Sequence, residues 1–356
     1  MSARERRYQR VGDFVLESGE VLRGVVQAYH LDGELNEARD NLVLVIHSLT
    51  GSADAVGDWW ADAVGAGKTI DTDRYAVLCT NLLGSCYGTG WEAGTAGNRE
   101  QGIGNSQQRR AGPTASREES DDGPAITTRD QARLIQGLIE ELGIASVALV
   151  TGGSLGGMVA LEWAAQNPAL ARSIVVLAAP AAHTAYAIAW NHVQRRVIDA
   201  AGQHGLEIAR MIGMMTYRTA DEQAQRFGRA RTEDGGWAVG AYLDHHGRKL
   251  RERFSVRSYQ VLTRAMDSHD VGAGRGGIGL ALRGIEGRLI GVGIPGDLLY
   301  SADDVRGWTE AAGAEYREIR SIHGHDAFLL EQAQVAEILE DALRSAEPAG
   351  AGAYDR

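Results

Sequence analysis

The chain has 356 residues, long enough to bury a sizeable core as one elaborated domain or two. Its 36 basic and 47 acidic residues leave a formal charge of -11, which argues against general nucleic-acid or anionic-membrane binding. A hydrophobic share of 44% with 23% charged residues is that of a soluble globular protein.

The first residues, MSARERRYQRVGDF, are charged and lack an apolar stretch of signal-peptide length. The longest apolar run, Ile174 to Ala182, is too short for a bilayer and is interrupted by Pro180. Of the two cysteines, Cys79 and Cys86, neither belongs to a zinc or redox spacing, and so few thiols suit a reducing cytosol. They read as buried thiols near a strand end. The expected location is cytoplasmic, with no metal site and no permanently bound cofactor.

In chain order, Val21–Val26 and Gln27–His30 read as short β runs or one bent strand. Leu42–Leu49 and Tyr75–Leu83 are near-continuous apolar runs, the pattern of strands buried on both faces. A helix follows from Thr128, where Thr128 and Gln131 have capping-box spacing and Ile135, Leu138, Ile139 and Leu142 recur at helical intervals; Gly143 ends it. Ser146–Thr151 is a further strand, then come a Gly-rich turn, a helix over Leu155–Asn167 stopped by Pro168, and a strand over Ile174–Ala179.

The strand–helix rhythm implies a parallel, doubly wound sheet. It breaks at about His183 for a helical, Arg-rich stretch to Asp270. It resumes with a strand over Gly287–Val292, a helix after Ser301, a short strand over Tyr316–Ile319 and a closing helix over Ala327–Ala346. The expected organisation is an α/β core (1–182 and 271–346) with an inserted helical lid (183–270). Residues 92–124 hold a single large aliphatic, Ile103, and read as a polar, flexible loop; residues 347–356 read as a disordered tail.

Gly152-Gly153-Ser154-Leu155-Gly156 fits G-x-S-x-G between a predicted strand and a predicted helix. That turn must be tight, and it projects the serine hydroxyl over the sheet end beside a helix N-terminus. A nucleophilic serine needs a base, and the base an orienting acid. Asp297 follows the strand ending at Ile294, and His325 stands between the last strand and the closing helix. Their neighbours Asp303, Asp304 and His323 are the competing choices; the two aspartates suit a helix cap better. Two backbone donors are needed for an oxyanion. Leu155 supplies one, and Leu49 in the HSLTG turn is the choice for the other. His47 in that turn reads as a structural histidine.

On these residues the chain resembles the homoserine O-acetyltransferase family of the α/β-hydrolase fold. The matching stretches are HSLTG (47–51), KTIDTDRYAVLCTNLLGSCYGT (68–89), GGSLGGMVALEWA (152–164), EIARMIGMMTYR (207–218), QRFGR (225–229), YLDHHGRKLRERF (242–254), SYQVLTRAMDSHD (258–270) and GHDAFLLE (324–331). The resemblance implies a ping-pong acyltransferase of methionine biosynthesis that uses acetyl-CoA as donor. It implies acylation of Ser154, with His325 as base and Asp297 as its partner. Arg210 would hold the homoserine carboxylate, Tyr217 would line the pocket, and Asp326 would hold the ammonium group. A homodimer formed through the lid is also implied. Small-molecule substrates are the only partners expected, with neither nucleic acid nor membrane among them.

The chain departs from the family after CYGT, where Gly90-Trp91-Glu92 and the polar loop replace a second threonine and a Gly-Pro-Ser-Ser type segment. Succinyl-CoA as donor, or serine or another alcohol as acceptor, therefore stand as alternatives. The lid arginines and Lys249 offer charge for the phosphates of a CoA donor, although solvated helix faces explain any one of them. An esterase or thioesterase with the same triad, and an inert binding module on the same fold, are the rival readings.

Overall fold

The computed structural model describes residues 5–92 and 123–345. The expected polar loop, apart from Glu92, Gly123 and Pro124, and the expected tail lie outside the described residues.

Eight strands form one sheet: β1 (Arg7–Val15), β2 (Val21–Asp32), β3 (Leu42–Ile46), β4 (Ala76–Thr80), β5 (Val147–Gly153), β6 (Ala171–Leu177), β7 (Arg288–Gly293) and β8 (Glu315–Glu318). Their spatial order is β1-β2-β4-β3-β5-β6-β7-β8. The first two pairings, β1 with β2 and β2 with β4, are antiparallel, and the rest are parallel. The sheet is thus the mostly parallel one expected.

Alternation along the central strands builds two cores. Leu42, Leu44 and Ile46 of β3, with Leu78 and Val176, face α1 (Thr128–Glu141) and α2 (Leu155–Gln166). Val43 and Val45, with Val77, Leu149 and Val175, face the opposite way. Each such side chain, fully buried, contributes about 1.5–3 kcal/mol relative to exposure. A one-residue slip would invert both faces, so the register is fixed.

The helices between β6 and β7 are α3 (Ala185–Tyr217), α4 (Ala220–Phe227), α5 (Ala238–Arg253), α6 (Val256–Asp267) and α7 (Ile278–Arg283). The chain leaves and returns to the core at one place: Ala182 bridges Asp270, the His183 amide donates to the His269 carbonyl at 2.8 Å, and the Val271 amide to the Ala181 carbonyl at 2.9 Å. Gly202, with φ 54° and ψ -124°, breaks α3 into two helical segments. After β7 come α8 (Ala302–Ala312), β8, α9 (Ala327–Leu330) and α10 (Gln332–Ser345), whose Val335 and Leu339 complete the second core.

Three local expectations change. The β run from Val21 is one strand of 12 residues, the second of its two expected forms. Its partner β1 has no counterpart among the expected elements, because it is a largely exposed edge strand without an apolar run. The capping box of α1 is Thr127 with Asp130, one residue earlier than Thr128 with Gln131. Gln131 instead clamps a distant turn, accepting from the Leu83 amide at 2.7 Å and donating to its carbonyl at 2.8 Å. The closing helix is two helices, interrupted at Glu331.

Candidate active site

Ser154 sits between the end of β5 and the start of α2, with φ 57° and ψ -125°. A non-glycine residue at positive φ is strained and is retained where the surroundings enforce it. The enforcement is close packing. A Cβ on Gly156 would run into the carbonyl of Ile46, and one on Gly157 would sit 2.6 Å from the Ala179 Cβ. Helix α2 therefore lies hard against the sheet. The Ser154 amide is tied to the Leu177 carbonyl at 3.0 Å, and the residue is 6% exposed. Leu155 opens α2, whose first-turn amides have no partner within the helix.

Leu49 lies beyond the end of β3, in a turn closed by the Gly51 amide donating to the Ser48 carbonyl at 3.0 Å. His47 fixes that turn. Its Nδ1 lies 2.8 Å from the Ser48 carbonyl and its Nε2 accepts from the Leu82 amide at 3.0 Å. Burial lowers its pKa to about 4, against an upward pull from the Ser48 carbonyl, so the ring is neutral and structural. Arg253 at the end of α5 adds a second tie, donating to the Thr50 carbonyl at 2.7 Å and to the Tyr87 hydroxyl at 2.6 Å.

Asp297 and His325 meet. His325 Nδ1 lies 2.7 Å from Asp297 Oδ2, and both side chains are buried. The other oxygen of Asp297 accepts from the amides of Leu299, at 2.8 Å, and Tyr300, at 3.0 Å, which locks the carboxylate plane. Burial pulls the His325 pKa down, but the charge and hydrogen bond of Asp297, helped by the charge of Asp326, outweigh it and the pKa is raised. The competing residues point elsewhere. His323 Nδ1 faces Glu222 at 3.2 Å, Asp304 caps α8 with Ser301, and Asp303 is exposed. Tyr300 abuts the base: its ring is edge-on to His325, with centroids 5.2 Å apart.

Around this centre, the Tyr217 ring lies 5.6 Å from that of His325, and the Arg210 guanidinium lies over Tyr217 at 5.5 Å. Arg210 is half-buried and has no carboxylate partner among the described residues. Asp326 does have one: its Oδ2 is 3.0 Å from Arg218 Nε, while Arg218 Nη1 reaches Glu222 at 2.8 Å. The structure thus brings Arg210, Tyr217 and Asp326 to the rim of one site but pairs Asp326 with Arg218.

Tyr300 and Arg253 pack around these residues and were not among those expected from sequence, and Arg218 was expected only as one of the lid arginines. Tyr300 had a signal, since it shares the DLLY turn with Asp297. Cys79 is buried inside β4, and Cys86 is half-buried; neither is in a disulfide. Among the described residues no cluster of metal-ligating side chains occurs, and no helix is long and apolar enough to cross a membrane.

Known proteins share this fold. A family profile described as alpha/beta hydrolase fold matches residues 41–228. The chain is 41% identical to a homoserine O-acetyltransferase of Thermus thermophilus, covering 94% of this chain and 90% of the relative. It is 39% identical to a homoserine O-acetyltransferase of Nostoc punctiforme, covering 94% of both. The crystal structure of homoserine O-acetyltransferase from Bacillus anthracis superposes with a TM-score of 0.81 at 21% identity, over 95% of this chain and 97% of that one, a likeness of fold.

Proposed function

The chain belongs to the homoserine O-acetyltransferase family of the α/β-hydrolase fold, and on that premise we propose that it acetylates the hydroxyl of L-homoserine through an acyl-Ser154 intermediate. Acetyl-CoA is the donor in this reading, and methionine biosynthesis the setting. The observation that carries it is the buried 2.7 Å contact of His325 Nδ1 with Asp297, together with a serine on a strained strand-to-helix turn.

In the first half-reaction His325 takes the Ser154 proton as Oγ bonds the thioester carbonyl carbon. The C–S bond then breaks, and the imidazolium returns that proton to the departing thiolate, releasing CoA. In the second, His325 takes the proton of the homoserine hydroxyl, whose oxygen bonds the acyl carbon. The ester bond to Ser154 breaks and the serine oxygen recovers the proton. Asp297 holds the ring in the tautomer with the proton on Nδ1 and stabilises the imidazolium. The amides of Leu49 and Leu155 receive the oxyanion in both halves.

Arg210 binds the homoserine carboxylate, with Tyr217 as the wall between it and the base. Asp326 binds the ammonium group, and must share its charge with Arg218 to do so. Helices α3–α6 act as a lid over the acyl-enzyme and as the surface through which a homodimer forms in the cytoplasm.

The test separates transferase from hydrolase. Initial rates over a grid of acetyl-CoA and homoserine concentrations should give parallel double-reciprocal lines, with CoA release in the absence of homoserine confined to one equivalent per site. Rapid, continuing CoA release without an alcohol would establish a thioesterase instead. No covalent species with either substrate would leave an inert binding module.

A further inference from the structure

A second line of buried polar contacts begins beside the triad and runs away from it. Tyr300 is fully buried, its ring abuts His325, and its amide donates to Asp297 Oδ1 at 3.0 Å. Its hydroxyl lies 3.1 Å from His183 Nε2. The His183 side chain is completely enclosed, and its Nδ1 lies 3.3 Å from Asp267 Oδ1, at an angle too oblique for a full hydrogen bond. Asp267 at the end of α6 is held from α3 by Asn191 Nδ2 at 2.8 Å and by Arg195. Burial pushes the Asp267 carboxyl up, but the nearby His183 and the donors Asn191 and Arg195 outweigh this and hold its pKa below the usual range.

These contacts fix Tyr300 from two ends. Its backbone amide is spent on Asp297 and its hydroxyl on His183. Without His183 the ring loses its polar anchor, and the His325 imidazole loses a fixed surface to rest against.

We propose that His183 and Asp267 are positioning residues for acyl transfer, which anchor the Tyr300 ring against His325. The proposal rests on the reading of Ser154 as nucleophile and His325 as its base. It also means that α6 and the entrance to α3 are tied to that base by side chains rather than by packing alone.

The test is a double-mutant cycle on the single-turnover rate of CoA release. Tyr300→Phe and His183→Leu should each slow acylation by about tenfold, the scale of one oriented hydrogen bond, at unchanged half-saturating acetyl-CoA. The double variant should be no slower than the slower single, because both remove the same interaction. His183→Gln, which keeps an acceptor near the Nε2 position, should recover part of the rate, as packing alone would not require. Asp267→Asn should slow the same step and serves where His183→Leu does not fold. Losses that multiply in the double variant would overturn the proposal, as would a folded Tyr300→Phe enzyme acylating at the wild-type rate. Persistence of the adduct in Ser154→Ala would instead refute the nucleophile itself, an outcome separate from either.

Discussion

Replacing Asp297 by Asn changes one atom's chemistry in a place where the structure dictates how the new side chain must lie. Oδ1 of Asp297 receives two backbone amides, from Leu299 and Tyr300, while Oδ2 faces His325 Nδ1. An asparagine has one acceptor oxygen and one NH2 group. Turning the NH2 toward two amide donors would bury three donors against each other, so the oxygen must take that place. The NH2 then faces His325 Nδ1, which has to accept. The imidazole proton is forced onto Nε2, and the ring can no longer deprotonate serine.

A loss of roughly ten-thousand-fold in the acylation rate is expected, the scale of the same substitution in serine-protease triads, or about 5.5 kcal/mol of barrier. The fold should survive, because the Leu299 and Tyr300 amides keep their acceptor, and the thermal midpoint should stay near that of wild type. The pH dependence carries a sign as well. Burial lowers the His325 pKa, and the charge and hydrogen bond of Asp297 more than reverse this. Wild-type acylation should therefore fall as pH drops through that raised pKa, and in Asp297→Asn the residual activity should lose its acid limb at lower pH. Single-turnover CoA release across pH measures both. An Asn variant retaining a tenth or more of wild-type activity would refute the tautomer argument.

Arg210→Ala should leave CoA release nearly intact and weaken transfer to homoserine by about 2 kcal/mol, the lower end for truncating a charged contact because the arginine is only half-buried; Arg210→Lys should recover part. Following adduct decay after homoserine addition measures this. His323→Ala should retain most activity in steady-state assays, because its Nδ1 faces Glu222 rather than Asp297. Glu162→Ala should lower stability by about 3 kcal/mol in urea unfolding, since it strands Arg129 and Arg275, whose guanidinium groups lie 3.3 and 2.9 Å from the enclosed carboxylate; their partial hydration keeps the cost at the low end.

The central strands and the places of Ser154, Asp297 and His325 were legible because their signals are local. Leu42–Ile46 and Val147–Gly153 are apolar runs closed by turn residues, Ser154 directly follows β5, and Asp297 and His325 lie in the turns after β7 and β8. What escaped was set by contacts between distant segments. β1 exists because β2 offers it an antiparallel ladder, not because RYQRVGDF favours a strand. Gln131 has the spacing of a capping box yet is spent on the backbone of Leu83, 48 residues away. Tyr300 and His183 are 117 residues apart. The Arg218 pairing of Asp326 joins α3's end to the turn before α9, which no periodicity reveals.

The central claim is that an acyl group resides on Ser154 between two half-reactions. Intact-mass measurement of the protein mixed with acetyl-CoA, followed by peptide mapping, reads this directly. One acetyl group should appear on the peptide containing Gly152-Gly153-Ser154, persist on the timescale of seconds in buffer, and vanish on adding homoserine with stoichiometric O-acetylhomoserine formed. The Ser154→Ala protein should acquire none. An acetyl group on another residue, or O-acetylhomoserine formed at full rate by Ser154→Ala, would contradict the account.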